Sequence, residues 1–462
     1  MKPARSPRVR SCGVTAATGR SRVVIVGAGL GGLAAERALR RLPVEVTLVD
    51  AHNYAAFPPL LFEAAVGVIV PEDVARPVRS FLGRASRGVF RLGEVVGIDW
   101  QGSRVRLADG DELPFDHLIL ATGVVPWYGN VAGAAEHAVP LKTVIDATRV
   151  RNSILRSFEA AAARPERVRP EETTIAIVGG GASGVELAGY LTDILFRSFV
   201  KDYPQIPRNR MRLTVIERGD RLLPGFDARL GHYAEAALRE RGVDIRLSAR
   251  AERIDAGGVI LDSGERIPAS TIVWAGGVSA PGWLADTGVL VERGRVVVDD
   301  DLRLPGHPSA FAIGDVAAVR SRSGALHPQV AQVAIQGGRH AARQIGRLLE
   351  RTPTRRFRYF DKGSMAMVGV YAAVVQSGRL RLTGRLAWIA WGLLHVAYLP
   401  GMSNRLRAMQ TWRWWHVTHE ASARVLIEDR DRSERPAPQH EPQPPRTTGR
   451  ASLAPSDEGG PG

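Results

Sequence analysis

Cysteine is almost missing from this sequence: of 462 residues only Cys12 carries a thiol. A disulfide framework is therefore excluded, and so is any chemistry that needs a pair of redox-active thiols. Lysine is nearly as scarce. Lys2, Lys142, Lys201 and Lys362 are the whole supply, so the net charge of +15 is almost entirely arginine. Such basicity suits an anionic membrane surface or nucleic acid. Zinc-finger spacing, an arginine-rich helix and an aromatic RNA-binding motif are all missing, which sets nucleic acid aside. No apolar run reaches the roughly 18 residues of a spanning helix. Residues 1–21 are basic but lack an apolar stretch, and read as a disordered extension, not a secretory signal. Residues 429–462, rich in Pro, Arg, Ser and Gly, read as a disordered tail. What remains is a globular composition, 45% hydrophobic and 24% charged with 49 glycines, long enough for two or three cores.

The main positive feature is a duplication. Val23-Val-Ile-Val-Gly-Ala-Gly-Leu-Gly-Gly32 returns 152 positions later as Ile175-Ala-Ile-Val-Gly-Gly-Gly-Ala-Ser-Gly184. Leu107-Ala-Asp-Gly-Asp-Glu-Leu-Pro-Phe-Asp-His-Leu-Ile-Leu-Ala-Thr-Gly123 aligns with Leu261-Asp-Ser-Gly-Glu-Arg-Ile-Pro-Ala-Ser-Thr-Ile-Val-Trp-Ala-Gly-Gly277 at an offset of 154. Two unrelated pairs sharing nearly one offset imply two copies of one unit.

In each copy the physical order is that of a dinucleotide site. A short β-branched run, 23–26 or 174–178, reads as a buried parallel strand. Glycines follow in G-x-G-x-x-G spacing: Gly27, Gly29 and Gly32, then Gly179, Gly181 and Gly184. They allow a tight turn, backbone approach to a pyrophosphate, and close helix–sheet packing. A helix then presents its N-terminal N–H groups to the phosphates. The next strand ends in an acid suited to ribose hydroxyls, Asp50 in the first copy and Glu217 in the second. Glu217 lies 38 residues beyond Gly179, an insertion taken up by a helix to about residue 200 and a loop over 203–209. A carboxylate there disfavours a 2′-phosphate and favours NADH, although Arg218 beside it could accommodate that phosphate. Asp-Gly at 109–110 and Ser-Gly at 263–264 read as turns. The first of these leads to a strand ending at Thr122 and Gly123, and a further strand ends at Gly314 and Asp315.

Together these features resemble the flavoproteins with two dinucleotide-binding domains. The implied fold is α/β, with two Rossmann-like domains and a C-terminal helical membrane-associating segment. FAD belongs to the first copy and NADH to the second, with the NADH domain (146–294) inserted in the FAD domain (22–145 and 295–345). On a bound flavin, Asp315 is suited to the ribityl chain. Within that group the chain is similar to the membrane-bound type II NADH dehydrogenases, over roughly residues 22–425. The segments that carry this likeness are Phe57-Pro-Pro-Leu-Leu-Phe-Glu-Ala-Ala-Val-Gly67, Gly181-Ala-Ser-Gly-Val-Glu-Leu-Ala-Gly189, Ala331-Gln-Val-Ala-Ile-Gln336 and Asp361-Lys-Gly-Ser-Met-Ala-Met-Val-Gly369. The resemblance implies electron transfer from NADH through FAD to a menaquinone or ubiquinone. It also implies monotopic attachment to the cytoplasmic face of the cell membrane. The rival readings are a soluble reductase of ferredoxin type and a slow flavin redox sensor; sulfide:quinone oxidoreduction is disfavoured by the missing cysteines.

Gln332 and Gln336 are one helical turn apart and share a face. Their neutral amides suit quinone carbonyls or the polar edge of the flavin. Glu186 is expected in the first turn of its helix, where a carboxylate has an electrostatic use. The resemblance adds quinone binding or proton transfer. Lys362 is a candidate point charge for a quinone or flavin anion. Residues 346–428 are expected to form the membrane or dimer segment. Five of nine tryptophans fall between 388 and 415, and Trp388, Trp391, His395 and Tyr398 share one helical face. Flanking arginines suit anionic lipid, with the aromatic rings at headgroup depth. A homodimer presenting both helices to one bilayer is compatible with this. His416 and His419 form an H-x-x-H pair without further ligands, so no metal site is expected.

Overall fold

The structure is a computed structural model, and it describes residues 19–82, 88–399, 401–418 and 423–427. Cys12, His419 and almost all of both expected tails lie outside them.

Strand Ser21–Val26, apolar and buried along its C-terminal half, lies centrally in a six-stranded sheet. It pairs in parallel with Val44–Asp50 on one side and His117–Leu120 on the other. The second copy repeats this arrangement: Thr174–Val178 lies between Arg212–Ile216 and Thr271–Trp274, both parallel. All of Thr174–Val178 is buried, as continuous apolar parallel strands require. The duplication in the sequence is thus a duplication of sheets. The two small turns also match: Gly110 and Gly264 have φ of +89° and +83°, each joining two strands of a small antiparallel sheet.

The chain returns to the first sheet after the whole second sheet has been built. His307–Ala312 pairs in parallel with His117–Leu120, placing Ala310 opposite Leu118. An antiparallel pair, Val125–Pro126 with Val278–Ser279, ties the outgoing and returning segments together. Val139–Pro140, inside the range expected for the FAD domain, joins the edge of the second sheet beside Thr271–Trp274.

The long spacing from Gly179 to Glu217 has a structural cause. Helix Ala182–Asp193 runs on through a π-helical stretch, Ile194–Phe199, and a final turn, Val200–Asp202. Phe199 packs against Phe158 and Tyr203, and the Arg208 guanidinium lies over Phe196. The insertion thus lengthens the helix without disturbing the sheet.

Beyond helix Ala331–Leu349 the chain forms a three-stranded meander, Ser364–Gly369, Ala372–Ser377 and Leu380–Thr383. Two helices follow, Gly384–Tyr398 and Met402–Thr418. Strand Ser364–Gly369 packs so closely on helix Ala182–Asp193 that a Cβ at Gly189 would meet the Val368 backbone at 2.4 Å. Among the described residues no helix is long and apolar enough to cross a membrane.

Candidate functional site

Each glycine-rich turn is shaped by hard contacts. Gly27 has φ +107°, and a Cβ on it would lie 2.2 Å from the Ala121 carbonyl oxygen; at Gly179, φ +117°, the matching contact is 2.4 Å from Ala275. A Cβ on Gly32 would lie 1.9 Å from the Gly27 oxygen, and on Gly184 2.0 Å from that of Gly179. The middle glycines differ: beside Gly29 and Gly181 there is open space. Both are N-cap residues with no side-chain cap, and neither helix has an acid in its first turn. Open backbone at an uncapped helix N-terminus is what a pyrophosphate needs, so both cradles fit a dinucleotide.

The acids at the strand ends are held alike. Asp50 accepts from the backbone N–H of Ala28 at 2.7 Å and of His52 at 2.8 Å. Glu217 accepts from Gly180 at 2.6 Å and Gly219 at 2.7 Å. Each carboxylate therefore links its glycine turn to the end of the next strand, with lone pairs left for ribose hydroxyls. Arg218 is exposed. Thr122 and Gly123 follow strand His117–Leu120, and Gly123 has φ +66° with open space beside it. Gly314, φ +73°, turns the chain toward Asp315. Burial raises the Asp315 carboxyl, while Lys142 and Arg295 draw it back down.

Glu186 departs from expectation. It is the fifth residue of helix Ala182–Asp193, past the first turn, and it is buried. Its carboxyl accepts from the Met367 N–H at 3.2 Å. Burial pushes it up to about 8; the Met367 N–H and the Trp391 indole oppose the shift, and Glu63 adds to it. This environment favours the neutral, protonated carboxyl and not the charged form that a helix dipole would stabilise.

Glu63 was not singled out from the sequence. It sits wholly buried in the short helix Leu61–Ala65, within the largest apolar core. The Tyr190 hydroxyl donates to its Oε1 at 3.0 Å and the Trp412 indole N–H to its Oε2 at 2.7 Å. Burial pushes it up to about 7, with both donors opposing. The only signal in the sequence is one acid inside Phe57-Pro-Pro-Leu-Leu-Phe-Glu-Ala-Ala-Val-Gly67, where every neighbour is apolar or small.

These acids lie behind a cavity of about 530 Å³, walled by Tyr190, Met367, Trp391 and Trp412. Ile389, Leu393 and Met409 also line it, and all three are exposed, so its rim belongs to an aliphatic outer surface.

Gln332 and Gln336 do share a face, but their amides are engaged by backbone. Gln332 donates to the Gly363 carbonyl at 2.7 Å and accepts from the Lys362 N–H at 3.1 Å. Gln336 does the same with both backbone groups of Phe360, at 2.9 and 3.0 Å. Each keeps one N–H for another acceptor. Lys362 is exposed; its ammonium reaches the Tyr398 hydroxyl at 3.2 Å, strapping this segment to helix Gly384–Tyr398. Gln332, Gln336 and Lys362 therefore gather at 360–363. Glu186 meets the same chain at Met367, four residues on, or roughly 13 Å along an extended strand.

The aromatic stripe also runs against expectation. Trp391, His395 and Trp415 point inward and are buried, and Trp412 is tied to Glu63. The outer face is aliphatic: Leu386 is 69% exposed, Leu393 70%, Leu406 50% and Val417 76%. Of the five tryptophans in this segment only Trp414 is largely exposed. His416 packs on Trp388 and Tyr371. Among the described residues no cluster of acids, histidines or cysteines could hold a metal ion.

Two matched cradles, each an uncapped glycine turn with a clamped acid, have the shape of two dinucleotide sites. The pattern of the pyridine nucleotide-disulphide oxidoreductase family accordingly matches residues 21–338. The chain belongs to that family and, within it, to the type II NADH:quinone oxidoreductases. It is 36% identical over 416 residues to the type II NADH:quinone oxidoreductase NdhA of Mycobacterium tuberculosis, covering 86% of this chain and 87% of the relative. It is 30% identical over 363 residues to the type II NADH:quinone oxidoreductase of Staphylococcus aureus, covering 77% and 89%. The fold is also that of Plasmodium falciparum NDH2 solved with NADH, at 18% identity, a TM-score of 0.81, and 88% of this chain against all of the other. The disulfide chemistry in the broad family's name has no basis in a chain with one cysteine.

Proposed function

We propose that this type II NADH:quinone oxidoreductase holds FAD at Gly27, Gly29, Gly32, Asp50, Thr122, Gly123, Gly314 and Asp315. NADH binds at Gly179, Gly181, Gly184 and Glu217. FAD, when bound, accepts electrons from NADH and releases them to a quinone. The residues of this chain orient the donor and acceptor and supply protons. Glu186 carries a proton at the base of the cavity. Gln332 and Gln336 set the position of Phe360 and Gly363 and offer their spare N–H groups. Lys362 brings a positive charge to the same edge.

The observation that carries this reading is the apolar cavity with a buried carboxyl behind it and an exposed aliphatic rim. A water-soluble protein partner has no use for such a rim, whereas a quinone dissolved in lipid does. The protein is accordingly peripheral to a membrane, with its C-terminal helices against the lipid, on the cytoplasmic face that the likeness to type II NADH dehydrogenases implies, and a homodimer would double that contact. The test is turnover with NADH and vesicles containing menaquinone or ubiquinone. Rapid NADH oxidation with either quinone, and little with reducible ferredoxin, is the expected result. Equal or faster ferredoxin reduction would remove the quinone reading. Strong preference for NADPH would remove the role given to Glu217.

A further inference from the structure

The wall of the cavity contains a hydrogen-bonded pair that the roles above leave unused. Tyr190 lines the cavity and donates its hydroxyl proton to Glu63. Glu63 lies behind that wall, wholly buried, with its second oxygen fixed by the Trp412 indole. An indole N–H can only donate, whereas a tyrosine hydroxyl can donate or accept. When Glu63 carries a proton, Tyr190 is therefore the partner able to receive it. The hydroxyl must then turn its own hydrogen away from Glu63, and Tyr190 is the member of this pair that lines the cavity.

We propose that Glu63 is a proton reserve for quinone reduction and that the Tyr190 hydroxyl passes its proton into the cavity. Reduction of a quinone to a quinol takes two electrons and two protons. NADH supplies two electrons and one proton, so one more proton comes through the protein. In the relay the Glu63 O–H bond breaks as the Tyr190 oxygen takes that proton, and the proton held by Tyr190 passes to a quinone oxygen. No electron moves in this step. Glu63 is left as a carboxylate, stabilised by its two donors, and is reloaded from solvent after the quinol leaves.

Position and surroundings support this. Helix Leu61–Ala65 packs on helices Val144–Ala162 and Ala182–Asp193, so Glu63 is held from several sides. Burial keeps both Glu63 and Glu186 protonated toward neutral pH. On helix Ala182–Asp193, Asp193 pairs with Arg197 and Arg241. On Gly384–Tyr398, His395 is pushed down to about 4 by burial and stays neutral. From Met402–Thr418, Arg405, Arg413 and His416 line the cavity. Glu63 and Glu186 are therefore two carboxyls that are bonded to cavity-lining residues and that burial shifts toward neutrality.

The inference rests on a quinone occupying this cavity, but it does not need Glu186 to act. The test compares Glu63→Gln, Tyr190→Phe and Glu186→Gln in the flavin-loaded protein. Glu63→Gln and Tyr190→Phe should slow reoxidation of reduced flavin by a short-chain quinone at least about tenfold, within the usual range for general acids. Bleaching of the flavin by NADH should not change. An infrared pH titration of the oxidised protein gives a second readout. Two protonated-carboxyl bands should titrate near neutrality, from Glu63 and Glu186; the lower-titrating one should be lost in Glu63→Gln and retained, with an altered midpoint, in Tyr190→Phe. Tyr190→Phe keeps the ring in place, so it decides the matter should Glu63→Gln fold poorly. A wild-type quinone rate in Tyr190→Phe would overturn the relay. Slow Glu63→Gln and Tyr190→Phe beside a normal Glu186→Gln would retain the relay and remove the role of Glu186. The reverse pattern would remove the relay alone.

Discussion

Burial of Glu63 and Glu186 gives these two carboxyls a contribution to stability that depends on pH in a direction opposite to that of most acids. Glu63 and Glu186 have carboxyls pushed from the ordinary value of 4.5 up to about 7 and about 8. Between those limits the folded protein keeps protons that the unfolded chain has released. Their contribution is therefore fully present below about pH 4.5 and is lost as pH rises through 7 and 8. Each group contributes a slope on the order of 1.4 kcal/mol per pH unit inside its window. Followed from pH 6.5 to 8, above the range in which buried histidines such as His340 and His395 contribute the opposite slope, chemical unfolding should show stability declining with pH in the wild type. The decline should be shallower in both Glu63→Gln and Glu186→Gln. Identical slopes in all three proteins would mean that these acids are ionised throughout. At the second nucleotide site, Glu217→Ala leaves the Gly180 and Gly219 N–H groups without their acceptor. An unmet buried donor costs about 1–3 kcal/mol. The expected result is a KM for NADH raised roughly tenfold or more, with NADPH affected less; an unchanged KM would take Glu217 out of the site.

At the level of elements, helices Gly384–Tyr398 and Met402–Thr418 combine two surfaces that periodicity alone does not tell apart. The helical repeat groups Trp391 with His395, but it does not say whether that face turns toward lipid or core. The structure turns it inward, where Trp391 and His395 stack at 4.0 Å and Trp412 reaches Glu63. Replacing Trp415, which is wholly buried, would therefore test packing and not membrane attachment. The attachment test belongs to the outer face. Substituting Leu386, Leu393, Leu406 and Val417 with Ser should release the protein from anionic vesicles, since each buried aliphatic side chain contributes about 1.5–3 kcal/mol. Reduction of a water-soluble acceptor should persist. Continued vesicle binding by the fourfold variant would place the lipid contact elsewhere. The glycine turns were readable because their backbone has no alternative: Gly27 and Gly179 meet a carbonyl oxygen where any other residue has a Cβ. The position of Glu63 was not readable, because its partners Tyr190 and Trp412 stand 127 and 349 residues away.

Across the whole molecule the two sheets came through from the sequence with their order intact. Repeated motif pairs, separated by nearly constant offsets, carry strand, turn and acid together. Less visible was how the C-terminal segment closes the centre. Three distant parts of the chain meet there: Glu63 from the short helix Leu61–Ala65, Glu186 from the second nucleotide helix, and Met367 from the meander. In the proposed function the nucleotide cradles serve the electron donor, and the apolar cavity with its buried carboxyls serves the acceptor. This division predicts two separable half-reactions. The direct measurement is anaerobic double-mixing stopped flow of the flavin-loaded protein, first with NADH and then with a short-chain quinone. The account predicts rapid bleaching of the flavin, then rapid return of its absorbance on quinone addition, with the return slowing as pH rises through about 7 and about 8. Bleaching without quinone-driven return would contradict it.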